Sequence, residues 1–184
     1  DEVVATLHGR ELVEDQTFAD TVLLPGFIDN HLHPYLAGIL VPTTFIAPFD
    51  WDLLSGVAEG VQTQAAYLER LTGAVSDQSD DQDWFITWGY HPYWHGGMSR
   101  AYLNSVSADV PLVVWHYSFH EVFMNDKALE VLGLVEADFD DPQMDWATGH
   151  AWEKGLFITV LQKLGPTLLE PVRFRSGIRD GFEM

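Results

Sequence analysis

Leu23-Leu24-Pro25-Gly26-Phe27-Ile28-Asp29-Asn30-His31-Leu32-His33-Pro34 is the stretch on which the reading of this 184-residue chain turns. Pro25-Gly26 breaks the run before it, residues 27–33 resume as a strand, and Pro34, with its fixed φ and missing N–H, stops that strand. Side chains two apart on a strand leave the same face, so His31 and His33 converge and Asp29 shares their side. This is chelating geometry. Neutral imidazole suits zinc, iron or nickel, and a neighbouring carboxylate can orient a ring or bridge two ions. Spacing alone also allows a pair of structural histidines hydrogen-bonded in a core.

Upstream, residues 3–7, 11–13 and 21–24 are β-branched or apolar runs separated by polar turns, which predicts an antiparallel flap over 1–24. Downstream, Val57, Val61, Ala65, Leu68, Leu71 and Val75 recur at threes and fours and predict a helix over 57–75 with one buried face. It runs into residues 76–83, whose four aspartates repel one another and make a solvated connection. That run lacks the glycine and terminal glutamate of a calcium loop. Residues 84–90 and 111–117 read as strands, 125–132 as a helix, 138–145 as an acidic loop and 149–164 as a second helix. Alternation of helix and strand through the middle favours a parallel α/β sheet.

Composition narrows the partners. Nine Lys and Arg stand against 28 Asp and Glu, a net charge of -19 that repels polyphosphate backbones and anionic lipid, so neither nucleic acid nor a membrane surface is expected as a partner. There is no cysteine, which excludes disulfides and thiolate metal sites, so any metal sits on His and carboxylates. The longest apolar stretches, 36–42 and 110–115, fall far short of the roughly 18 residues of a membrane helix. No basic and apolar leader pattern follows Asp1, so the compartment stays open, with the cytoplasm favoured over secretion.

Other imidazoles carry weaker signals. His91 and His95 are four apart, but Pro92 between them removes helical geometry and argues against a shared ion. His116 and His120 have the same interval in a segment patterned as strand. With Trp115, Tyr117, Phe119 and Phe123, these residues read either as the wall of an apolar pocket for a small organic ligand or as buried core aromatics.

Residues 23–34 resemble, almost letter for letter, the opening of the first barrel strand in the amidohydrolase superfamily. Trp84-Phe85-Ile86-Thr87-Trp88-Gly89-Tyr90, then Leu103 to Ser107 with Pro111 to Val114, then His120 with Asn125 and Ala128-Leu129, resemble successive blocks of its family 3, the YtcJ-like hydrolases, in order. The resemblance covers most of residues 20–156. It implies an α/β fold, a partial TIM (β/α)8 barrel with a small N-terminal β-sandwich element (1–24), the barrel portion over 25–184, and an inserted α/β region at about 45–145. His31 and His33 would be the first two ligands of a divalent metal, expected to be zinc. Glu153, in Thr148-Gly149-His150-Ala151-Trp152-Glu153-Lys154, would join them, with Lys154 as the alternative and a surface Glu-Lys pair as the plain structural reading. His120 and Asn125 would line the substrate pocket with His91 and Trp88. Asn125 also reads as a helix cap, since an apolar helical run follows it.

The implied chemistry is hydrolysis of a non-peptide carbon–nitrogen bond in an amide-like small molecule. A full barrel takes roughly 250 residues, and the family's two later histidines and its catalytic Asp have no match here. The expectation is therefore an N-terminal portion of a hydrolase, prone to self-association through unpaired strand edges. The competing expectation is a non-catalytic binding or regulatory protein on the same scaffold.

Overall fold

The structure, a computed structural model, describes Gly9, Glu11, Val13, residues 16–22, Leu24, residues 33–78 and residues 83–184. The chain divides into two units, Asp1–Leu32 and His33–Met184. In the first, the described residues include a turn in which the Ala19 N–H donates to the Gln16 carbonyl, and the Thr21 N–H and hydroxyl both donate to that of Phe18. The runs expected as strands over 11–13 and 21–24 are not strand at their described residues, Glu11 and Val13, and Thr21, Val22 and Leu24; the run over 3–7, and the strand expected to carry Asp29 and His31, lie outside the described residues.

The second unit runs α1 (Pro34–Leu40), β1 (Thr44–Phe45), β2 (Trp51–Leu53), β3 (Gly56–Ala58), α2 (Gln64–Ser76), β4 (Phe85–Tyr90), α3 (Pro92–His95), α4 (Arg100–Val106), β5 (Leu112–His116), β6 (Glu121–Met124), α5 (Asp126–Val131), β7 (Met144–Asp145), β8 (His150–Trp152), a π-helical turn (Gly155–Val160), α6 (Leu161–Leu168) and α7 (Pro171–Glu183). Six strands form one sheet in the order β1-β4-β5-β6-β8-β7, and β2 and β3 form a separate hairpin. The pairs β1–β4 and β4–β5 are parallel; β5–β6, β6–β8 and β7–β8 are antiparallel. The unit is thus mixed α/β, and the expected all-parallel sheet stops at β5. Residues 117–120 are too few to form a crossover, so β6 returns antiparallel as a hairpin.

Both faces of the central strands are buried, which is why they read as continuous apolar runs. Alternation divides them. Ile86, Trp88, Val113, Trp115, Val122 and Met124 point into a core closed by Ala128, Leu129, Leu156, Val160, Leu164 and Leu168. Phe85, Tyr90, Leu112, Val114 and Phe123 point into a second core with Tyr67 and Leu71 of α2 and Leu103 of α4. Between Trp88 and Tyr90 the β4–β5 register shifts at Gly89, whose φ is +112°. A Cβ there would lie 2.7 Å from that of Ala47 and 2.8 Å from the Ile46 carbonyl oxygen, so only glycine serves.

Several element boundaries differ from the periodicity reading. The helix expected over 57–75 begins at Gln64, because the Thr63 hydroxyl caps it by accepting from the Ala66 N–H. Val57 lies instead in the β2–β3 hairpin and is exposed. Pro92, expected to forbid a helix, occupies the first helical position of α3, where its missing N–H costs nothing. Residues 150–152, expected to open a helix, form β8, and helical structure follows from Gly155. No helix among the described residues is long and apolar enough to cross a membrane.

Candidate functional site

One end of the sheet gathers imidazoles and carboxylates from three elements. The hairpin between β5 and β6 spans His116 to Glu121, and β8 pairs with β6 so that Glu121 faces Trp152 and Phe123 faces His150. One rung further, the Glu153 N–H donates to the His120 carbonyl at 2.9 Å. Above that backbone bond, the His120 Nδ1–H donates to Glu153 Oε1 at 3.0 Å. Both side chains are about half exposed, at 54% and 50%. The pair therefore presents its remaining polar atoms to solvent.

The backbone at this rung is unusual. Among the described residues, the non-glycine positions with positive φ are Phe119, at +72°, and Glu153, at +43°. Such left-handed conformations cost an L-residue free energy and concentrate where function aims a side chain. Phe119 immediately precedes His120, so strained backbone lies at one half of the pair, Glu153, and next to the other. Gly149 opens the way for β8, with φ +65° and a Met124 carbonyl oxygen only 2.3 Å from where a Cβ would stand.

Beside the pair lies a second, more enclosed set. The His150 Nε2–H donates to Glu121 Oε2 at 2.9 Å, and its ring is clamped between Phe123, at 4.1 Å, and Trp152, at 4.6 Å. His116 Nδ1 is 4.0 Å from the other oxygen of Glu121, and its ring is 5.4 Å from that of His91. Burial holds the His116 pKa below the usual imidazole value. Glu121 opposes that shift, and His91, His150 and His120 add to it. Burial likewise lowers His150, against the pull of Glu121. Both rings are thus favoured in their neutral form at neutral pH.

The residues expected at the site have different fates. His120 and Glu153 meet. His33 sits at the entrance of α1, exposed, with its ring against that of Tyr35, while its companion His31 lies outside the described residues. His91 caps α3, its Nδ1 accepting from the Tyr93 N–H, and its ring faces His116. Its neighbour His95 is buried and bridges the His91 N–H and the Val61 carbonyl, so the four-residue interval builds a loop rather than a metal pair. Lys154 pairs with Asp141.

Two residues expected in the pocket belong to the interior. Trp88 is 3% exposed and stacks on Tyr117 and Phe119, beneath the hairpin that carries His120. Asn125 is fully buried. Its Oδ1 accepts from the Ala128 N–H at 2.8 Å and the Leu112 N–H at 3.0 Å. Its Nδ2 donates to the carbonyls of Ser107 at 2.9 Å and Val110 at 2.8 Å. With those four bonds made to backbone, it serves as cap and clamp and has nothing to offer a ligand.

Ser118, Glu121 and His150 carried no signal of their own in the sequence, because they converge only once the hairpin register is known. A cleft of about 590 Å³ lies elsewhere, at the opposite end of β4, lined by Pro42, Thr44, Trp84, Thr167 and Arg173 among others. Among the described residues no group of three or more His, Asp or Glu is placed to hold a metal ion. The described residues alone do not make a metal centre.

Residues 19–170 match the Amidohydrolase family, and the chain belongs to that family. Two solved structures share the fold. An uncharacterized metal-dependent hydrolase from Pyrococcus horikoshii OT3 is 21% identical with a TM-score of 0.58, and another from Pyrococcus furiosus is 19% identical with a TM-score of 0.51. Each likeness covers 84% of this chain and 28% of the other, so the chain spans less than a third of those proteins. No curated protein matches it.

Proposed function

We propose that this chain supplies the early part of a metal-dependent hydrolase acting on non-peptide carbon–nitrogen bonds of amide-like small molecules. The observation that carries the reading is the His120–Glu153 pair, two exposed chemical groups hydrogen-bonded to each other on strained backbone. Family membership supports the hydrolase part of this reading. His31, His33 and Glu153 are the residues proposed to ligate a divalent ion, taken to be zinc because imidazole and carboxylate suit it. Bound there, the ion would supply Lewis acidity and an activated water.

This chain's own residues have simpler tasks in that scheme. His120 fixes the orientation of the Glu153 carboxylate through Oε1 and leaves Oε2 for another partner. Phe157 packs edge-on against the His120 ring, at 5.6 Å, and limits its rotation. The barrel over 25–184, with its inserted region at about 45–145, and self-association through sheet edges are parts of the same proposal.

Elemental analysis of the purified chain tests it. Stoichiometric zinc that is lost in a His31→Ala, His33→Ala double variant, and reduced in Glu153→Gln, is the expected result. A metal-free chain that still binds small aromatic molecules would instead favour a non-catalytic binding protein.

A further inference from the structure

The hairpin that presents His120 is held by backbone and side-chain bonds together. The Phe119 N–H donates to the His116 carbonyl at 3.0 Å, the Tyr117 N–H to that of Tyr90 at 2.8 Å, and the Trp115 indole N–H to the Phe119 carbonyl at 3.0 Å. One connection in the loop depends on an ionisable ring. The Ser118 N–H donates to His116 Nδ1 at 3.0 Å, and the Ser118 hydroxyl lies 2.8 Å from the same nitrogen. A backbone N–H cannot accept, so Nδ1 is bare and the neutral ring carries its proton on Nε2. The Ser118 hydroxyl oxygen in turn accepts from the His120 N–H at 3.3 Å.

We propose that His116 is a positioning residue for His120: its neutral ring holds Ser118 through Nδ1, Ser118 holds the His120 backbone, and protonation of His116 loosens the presentation of His120 to Glu153. The inference rests on the hydrolase reading only for the importance of that pair. A proton added at Nδ1 turns the acceptor into a donor aimed at another donor, and the Ser118 N–H loses its partner. The groups facing His116 are Glu121 from β6, which favours the proton, and His91 after β4, His150 on β8 and His120, which oppose it when charged. The Tyr90 ring packs on its edge at 6.0 Å. Burial of the ring keeps the holding, neutral form in place at neutral pH.

Nitrogen-15 NMR of the whole chain between pH 8 and pH 5 tests this. At pH 8 the His116 ring should show the Nε2–H tautomer. As it titrates, the Ser118 amide should shift with it, and its protection relative to the intrinsic exchange rate at each pH should fall about tenfold, the loss of about 1.4 kcal/mol. His116→Asn puts an amide oxygen near the place of Nδ1 without a titrating group, so Ser118 should stay protected at both ends of the range. His116→Leu should leave it unprotected at both. An Nδ1–H tautomer at pH 8, a Ser118 amide indifferent to His116 protonation, or an Asn variant whose Ser118 is no better protected than that of Leu would each overturn the proposal. Should the Leu variant fail to fold, the wild-type titration and the Asn variant still decide. None of these measurements needs metal or turnover. A zinc-free, inactive chain with a titrating Ser118 upholds this inference while sinking the hydrolase reading; a zinc-binding chain with a static Ser118 does the reverse.

Discussion

Replacing Asn125 with alanine would strip four hydrogen bonds from a side chain that is fully buried. Losing the cap on the Ala128 N–H should cost about 1 kcal/mol. The Leu112 N–H, buried in the sheet, loses its side-chain partner, which should cost about 1–3 kcal/mol. The bonds to the carbonyls of Ser107 and Val110 are only partly buried and add less. The sum is about 3–5 kcal/mol, a large share of the ~5–15 kcal/mol that holds a typical domain together. With a urea dependence of about 3 kcal/mol per molar, the unfolding midpoint should fall by about 1–1.7 M. Asn125→Asp should fare no better, because it keeps both acceptor bonds but sets a carboxylate oxygen against two carbonyls. Urea unfolding followed by tryptophan fluorescence is the assay. A midpoint for Asn125→Ala within ~0.3 M of wild type would refute the clamp, since about 1 kcal/mol is what a cap alone would explain.

Further expectations concern pH, backbone and assembly. His95, His116 and His150 all have folded-state pKa values pressed below the ordinary imidazole value by burial, so the unfolded chain binds protons first as pH falls. Their stabilising share is complete above about pH 6.5 and drains as pH drops from there toward the folded values, by up to about 1.4 kcal/mol per pH unit for each ring. Thermal melts at pH 7.5 and pH 5.5 should show it, and equal melting temperatures would contradict it. Gly149→Ala forces a Cβ against the Met124 carbonyl in left-handed backbone and should cost about 2–3 kcal/mol, read as a lower melting temperature; an unchanged melt would mean the β6–β8 rung can give way. Light scattering of the concentrated chain should show self-association, and a monodisperse monomer would count against the proposed open sheet edges.

The proximity of two expected site residues is foreshadowed in local order: motif resemblance singles out His120 and Glu153, and the register of β6 against β8 brings them to 3.0 Å. The strands at 84–90 and 111–117 stood out through buried branched and aromatic runs, and the structure shortens each by a residue or two. What could not be read were boundaries set by single side chains. Thr63 capping decides where α2 starts, and apolar spacing extends straight through it. Asn125 reads equally as pocket or cap in sequence, and only its four backbone partners decide between them. The Glu121, His116 and His150 grouping depends on cross-strand pairing, which has no periodicity along the chain. Trp88 belonged to an aromatic run, and no sequence pattern tells a stack inside a core from one lining a cavity.

The register of β6 against β8 also makes the gene unequally tolerant of length changes. A codon added after the exposed Asp140, in the acidic loop, lengthens a connection at the surface and leaves both partners where they were. A codon added between His120 and Val122 reverses which side chains face which layer. Val122 and Met124, both without exposed surface and beside the equally buried Ala151 of β8, would trade places with Glu121 and Phe123, and the carboxylate that now serves two imidazoles would be driven into oil.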